Sequence, residues 1–279
     1  MNFQQKLDVI VGKNNSLVCV GLDSDISKIP EHKRSEINPQ FTFNKAIVDV
    51  THDLVCAYKP NTAFYESRGS EGIQELKMTC DYLHEKYAEI PIILDAKRAD
   101  IGSTNEGYVD FAFDWLGVDA ITLHPYLGKE ALKPFLDRKD KGCIILCRTS
   151  NSGAGEFQDL LVDEEPLYQR VAKKVVNEWN ANNNCMLVVG ATYPEELAAV
   201  RKIAGDMTFL VPGIGAQSGD VEKTVKAGLN SKKSGMIINS SRGIIFASSG
   251  DDFAKKSKEE TKKLKNATNK YRKETGYVK

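Results

Sequence analysis

Short, wholly apolar runs recur along this chain, each followed by a longer stretch of helical periodicity, and that alternation restricts the fold more than any other feature. The runs span residues 17–21, 54–58, 90–94, 120–123, 143–146, 186–189, 208–211 and 235–238. They do not alternate apolar with polar, which is the pattern of parallel strands covered on both faces. Between them, Ile73, Leu76, Cys80, Leu83 and Tyr87 repeat at helical spacing within 70–87. Residues 42–53, 103–115, 130–136, 165–180, 194–203 and 219–227 are also amphipathic. Eight strands, each followed by a helix, is the count of an α/β chain closed into a (β/α)8, or TIM, barrel. A doubly wound open sheet competes, but no Gly-x-Gly-x-x-Gly follows the first strand, and the glycines of 213–219 are late and wrongly spaced. An extra helix is expected at 3–11. The lysine-rich end, 255–279, reads as a closing helix with Leu264, Ala267 and Tyr271 inward and the charge run solvated. No linker interrupts the pattern, so residues 1–279 are expected to form one domain.

Lys plus Arg and Asp plus Glu each number 38, so no net charge draws the chain to nucleic acid or to an anionic membrane surface. Cys19, Cys56, Cys143, Cys147 and Cys185 fall in apolar runs and Cys80 on a helical face. Without a Cys-x-x-Cys they read as buried thiols, neither zinc ligands nor a disulfide framework. The start, Met1-Asn2-Phe3-Gln4-Gln5-Lys6, has no long apolar core or cleavage-like site, and no run approaches membrane-spanning length. A reducing, cytoplasmic setting is expected.

In a barrel of this kind chemistry gathers at the C-terminal ends of the strands, so the residues just past each run carry the functional signal. They are Asp23, Lys59 with Pro60 and Asn61, Asp95 and Lys97, His124, Thr149 and Ser150, then 212–217 and 239–243. Singly they have plain readings: a helix cap for Asp23, a hydrogen-bonded wall residue for His124, a salt bridge closing a strand for Asp95-x-Lys97. Together, charges from three successive strands converge on one mouth, and strand alternation puts Asp95 and Lys97 on one face. The loops after strands seven and eight are where such barrels commonly bind phosphate. Here they offer Pro212-Gly213-Ile214-Gly215-Ala216-Gln217, rich in backbone N–H groups, and Arg242. A phosphorylated small molecule lying across the mouth is implied. The stretch 151–165 is too long for an ordinary connection and suggests a mobile functional loop.

With these residues in view, the chain resembles the orotidine 5′-monophosphate decarboxylase family, from Asp23 to Arg242. Asp95-Ala96-Lys97-Arg98-Ala99-Asp100-Ile101-Gly102-Ser103-Thr104 is similar to its Asp-x-Lys-x-x-Asp signature, and 212–217 to its phosphate loop. Tyr58-Lys59-Pro60-Asn61 and the length resemble its longer, type 2 subgroup. The resemblance implies decarboxylation of orotidine 5′-monophosphate to uridine 5′-monophosphate in pyrimidine biosynthesis, by a homodimer with shared active sites. It implies a charged network of Lys59, Asp95, Lys97 and Asp100, with Lys97 protonating C6 and Asp95 beside the departing carboxylate. Asp100 and Thr104 would enter from the neighbouring subunit. Asp23 and Lys59 would hold the ribose hydroxyls, with Asn61 in the same substrate-binding group, and Ser150 the pyrimidine edge. Pro212, Gly215, Gln217 and Arg242 would surround the 5′-phosphate. Ser241 stands where the family often has Gly.

These residue types suit the chemistry. Loss of the carboxylate leaves electron density on a ring carbon, and an ammonium held between carboxylates is a charged proton donor already in place. One such donor supplies on the order of 3–4 kcal/mol, whereas the hardest enzymatic reactions need about 23. Binding energy from the remote phosphate must therefore help organise the site, with 151–165 and 215–219 as the segments expected to move. No cofactor or metal is required by this scheme. A sister barrel acting on a sugar phosphate would hold an enediolate on a divalent metal; Lys59, Thr104 and the Gly-Ile-Gly-Ala-Gln loop favour the nucleotide. Intact Lys97, Asp95 and Asp100 argue against a catalytically silent nucleotide-binding barrel.

Overall fold

The computed structural model describes residues 1–214 and 220–278. Its central sheet has eight parallel strands: β1 Val18–Leu22, β2 Ala57–Pro60, β3 Ile93–Arg98, β4 Ala120–Leu123, β5 Gly142–Arg148, β6 Cys185–Val189, β7 Phe209–Val211 and β8 Met236–Ser240. Their order is β2-β1-β8-β7-β6-β5-β4-β3. Bridges from Tyr58 to Ile92 and from Asn61 to Asp95 bring the two ends together, nearly closing the barrel. Parallel neighbours need a crossover, and a helix lies in each one, as the (β/α)8 reading expected.

Each expected run overlaps a strand, and in β1, β2, β3, β5 and β8 the strand extends past the run toward the charged end. β2 begins at Ala57 instead of 54; Leu54, Val55 and Cys56 lead into it buried, the Cys56 N–H donating to Val18 O at 2.7 Å. β3 continues past the apolar run to Arg98, so Asp95 and Lys97 lie within the strand. The expected helix at 103–115 is α-helical over Gly102–Val109 and continues as a π-helix over Asp110–Trp115. The helix expected from 165 begins at Leu167, since Pro166 favours an extended residue before it. Glu165–Pro166 pairs instead with Leu161–Val162 as a small antiparallel hairpin.

The stretch 151–165 is therefore not irregular. It carries a 3-10 turn at Ser152–Ala154, a helical turn at Gly155–Gln158 and half of that hairpin. Gln158 fastens it to the end of β5, accepting the Thr149 N–H at 2.9 Å and donating to Thr149 Oγ1 at 2.9 Å.

The helix Phe3–Asn14 opens with a capping box in which Asn2 and Gln5 satisfy each other's backbone N–H. It covers the floor of the barrel with Phe3, Leu7, Ile10 and Val11. Lys6 pairs with Asp119 at 2.8 Å, the Phe3 N–H donates to Asp140 O at 3.0 Å, and Thr208 donates to Gln4 at 2.7 Å. The closing helix spans Phe253–Glu274. Leu264, Ala267 and Tyr271 are only half-buried; the fully buried positions are Phe253, Ser257, Thr261, Thr268 and Arg272. Hydroxyls suit that tight face because they bond to the preceding turn, as Thr261 does to Ser257 O at 2.7 Å. Arg272 is the exception to a solvated charge run: it donates to Lys233 O and stacks 3.8 Å from the Tyr277 ring. The cysteines are free and buried.

Candidate active site

The ends of β1, β2 and β3 assemble one charged cluster. Lys59, buried within β2, sits 2.8 Å from Asp95 Oδ2 and 3.8 Å from Asp23 Oδ1. Lys97 Nζ reaches the other oxygen of Asp95, at 2.7 Å. Alternation alone does not make that contact. The β3–β4 register shifts between Leu94 and Arg98, and Lys97 has φ 46°, a left-handed conformation unusual for a side chain other than glycine. Thr122 of β4 holds this kink: it accepts the Lys97 N–H at 2.9 Å and donates to Asp95 Oδ1 at 2.9 Å. Thr122 went unnoticed in the sequence because it lies inside an apolar run; a hydroxyl at a buried strand position was the available signal.

Burial by itself would raise the Asp95 carboxyl, yet Lys59 and then Lys97 outweigh it and hold it well below the usual carboxylate range. Burial likewise opposes charge on Lys59, but Asp23 and Asp95 raise its affinity for the proton above that of an ordinary lysine. Asp23 lines the pocket, and its buried Oδ1, 3.8 Å from Lys59, has no hydrogen-bond partner among the described residues. Asn61 touches Asp95 Oδ2 at 3.4 Å and accepts the Ala63 N–H at 3.1 Å.

The opposite wall of the pocket is neutral or backbone. Ser150, Pro212, Gly213 and Ile214, past the ends of β5 and β7, line the pocket together with Asp23, Lys59 and Asp95, and β8 with the residues after it adds Asn239, Ser240, Ser241 and Arg242. Gly213 has φ 101°, which favours glycine there. Arg242 is exposed and makes no ion pair among the described residues. Gly215 and Gln217 lie outside the described residues.

Asp23, Lys59, Asp95, Ser150, Pro212 and Arg242 thus share one pocket, with Lys97 and Asn61 joined to it through Asp95. Asp100 stands apart: among the described residues no ion pair joins it to Lys97, and its carboxylate accepts the Ile101 N–H at 2.7 Å. Asn105 holds it in place, accepting the Asp100 N–H at 2.8 Å. Thr104 is exposed on the helix that follows. His124 is a hydrogen-bonded wall residue, its Nε2 3.2 Å from Ala99 O. Arg148 was missed; buried beneath Thr149, it pairs with Glu196 at 2.6 Å and Asp159 at 3.3 Å, tying the end of β5 to two neighbouring segments. Among the described residues, no group of three or more His, Cys, Asp or Glu is arranged to hold a metal ion.

The chain has close counterparts in sequence and fold. A protein from Cellvibrio japonicus named orotidine 5'-phosphate decarboxylase is 51% identical over 242 residues, 86% of this chain and 88% of its own. One of the same name from Janthinobacterium is 48% identical over 240 residues, with the same coverage of both. The solved structure of Leishmania donovani OMP decarboxylase superposes with a TM-score of 0.83 at 38% identity, over 96% of this chain and 100% of that one. Leishmania donovani UMP synthase gives 0.85 at 39% identity, and this chain spans 57% of it. Residues 16–256 match the model of one family. The chain belongs to the orotidine 5'-phosphate decarboxylase / HUMPS family.

Proposed function

We propose that this protein converts orotidine 5′-monophosphate to uridine 5′-monophosphate and carbon dioxide, without a cofactor, as a step of pyrimidine biosynthesis. The observation that carries the reading is Asp95, ion-paired through one oxygen to buried Lys59 and through the other to half-exposed Lys97, across the mouth from Arg242. Arg242 would anchor the phosphate. The Asp23 carboxylate would accept a ribose hydroxyl, beside Lys59. Ser150 would meet the pyrimidine edge. As the C6–carboxylate bond breaks, its electron pair stays on C6, and the Lys97 ammonium delivers its proton there. Asp95 keeps that ammonium in place and lies where a second carboxylate is least welcome. No described helix is long and apolar enough to cross a membrane, and we read the cytoplasm as the place of action.

The same reading makes the protein a homodimer. Among the described residues no ion pair joins Asp100 to Lys97 in its own barrel, and Ile101 next to it (61% exposed), with Tyr126 (89%) and Leu127 (43%) past the end of β4, presents apolar surface to solvent. A second copy covering that rim would bring its own Asp100 and Thr104 to this pocket. The direct test follows the loss of orotidylate absorbance by purified protein in the presence of a chelator. Turnover supports the reading; a strict metal dependence would point to the sugar-phosphate branch of the family. For the shared site, inactive Lys97→Ala and Asp100→Ala proteins are mixed under subunit exchange, and partial recovery of turnover is expected. Full exchange without recovery would remove the dimer from the mechanism.

A further inference from the structure

We propose that Gly21 is a positioning residue for the phosphate end of the pocket: its missing side chain is the notch in which Ser241 sits, and through Ser241 it fixes Arg242. A methyl group on Gly21 would lie 1.8 Å from Ser241 Oγ, 2.8 Å from Ser241 Cβ and 3.2 Å from Asn239 Oδ1. Turning the hydroxyl to another rotamer relieves only the first contact. The Cβ contact remains, so the backbone of Ser241 has to move.

What moves with it is defined by the hydrogen bonds. Ser241 O accepts the N–H groups of Ile244 and Ile245, each at 2.9 Å, so Ser241 sets the start of the short helix Arg242–Ile245. β1 cannot retreat instead. It is buried throughout and pairs with β2 on one side and β8 on the other, with Gly21 opposite Lys59. The strain therefore passes to Ser241, half-buried just past the end of β8, and displaces exposed Arg242 beside it. Asn239 completes the notch, its Nδ2 3.4 Å from Ser241 Oγ and its Oδ1 buried without a partner among the described residues. A single glycine, two positions before Asp23 at the end of β1, thus couples the ribose end of the pocket to the phosphate end.

The proposal rests on the reading of the pocket as an orotidylate site, and its test separates the two. Four proteins are compared: wild type, Gly21→Ala, Ser241→Gly and the double variant. Gly21→Ala should lower kcat/KM for orotidine 5′-monophosphate by ~10-fold or more through KM, whereas the same substitution in the Ser241→Gly background should change it by less than about 2-fold. Equal losses in the two backgrounds would overturn the notch. If Gly21→Ala alone does not fold, a folded and active double variant supports it, and a double variant that also fails to fold overturns it. If the wild type shows no orotidylate turnover, the reaction is wrong but the notch is still read from the melting temperatures of the same proteins. A drop on Gly21→Ala that vanishes in the Ser241→Gly background keeps the notch, and an undiminished drop removes it.

Discussion

The two walls of the pocket are built on opposite principles. On the β1–β3 side, side chains hold one another: Lys59 spans Asp23 and Asp95, and Asp95 is met by Lys59, Lys97 and Thr122. On the β5–β8 side the lining is backbone, serine and proline, with glycines opening room for neighbours. Gly190 lets Ser150 approach, since a Cβ there would come within 2.8 Å of it, much as Gly21 admits Ser241. The charged wall is complete before anything binds, so a reacting group meets fixed charges that need no reorganisation. The other wall ends in Arg242, whose charge is still open to a ligand. Contacts made only once the phosphate arrives are the kind that can be turned toward the barrier.

Substitutions can break that contrast. Lys97→Ala should produce the largest effect, lowering kcat by on the order of 10⁴-fold, while half-exposed Lys97 leaves the melting temperature nearly unchanged. A matching loss of stability would mean that Lys97 is structural. Asp95→Ala should do both kinds of damage. It strands buried Lys59, costing about 3–5 kcal/mol in denaturant unfolding, and turnover disappears with it.

The pH dependence of that stability sharpens the point. The folded Asp95 carboxyl lies below its ordinary value of 3.8, so its contribution is complete above that value and lost as pH falls through the folded one. Lys59 is raised above 10.5, so its contribution is complete below that value and lost only as pH rises through the folded one. The melting-temperature gap between wild type and Asp95→Asn should therefore be flat from about pH 5 to 10 and shrink below about pH 4. A gap that closed near neutrality would show the cluster to be weakly coupled.

Arg242→Ala, on the open wall, should raise KM for orotidine 5′-monophosphate by ~100-fold with no change in melting temperature. A loss confined to kcat would place the phosphate elsewhere. The smallest effect is expected for Thr122→Val, which removes both the donor to the Asp95 carboxylate and the acceptor of the Lys97 N–H and should cost about 2 kcal/mol of stability, together with a lower kcat as the Lys97 kink relaxes. Unchanged kinetics would show that the kink survives without its hydroxyl.

The charged wall was legible in the sequence because apolar runs stop abruptly at Asp23, Lys59 and Asp95, and burying a charge at a strand end demands a partner. The barrel was legible for the same reason, from the runs themselves. What escaped depends on contacts across the sheet. Thr122 looks like part of an apolar strand until its register against β3 is known. The left-handed turn at Lys97 leaves no compositional mark, as a glycine would have. The fit of Ser241 against Gly21 joins the first strand to the last, and nothing local to either residue announces it. The hairpin within 161–166 was hidden because its first strand fell in the stretch expected to be a mobile loop and its second in the expected start of a helix.

The floor of the barrel has a consequence for biosynthesis. The first helix leaves the ribosome early, but the surface it covers does not yet exist: its partners Asp119, Asp140 and Thr208 come from the middle and later parts of the chain. Until they emerge, Phe3, Leu7, Ile10 and Val11 have nowhere to dock. Closure of the barrel floor is thus a late event in a fold of long-range contacts, and a nascent chain stalled before β7 would keep a sticky amphipathic leader in solution.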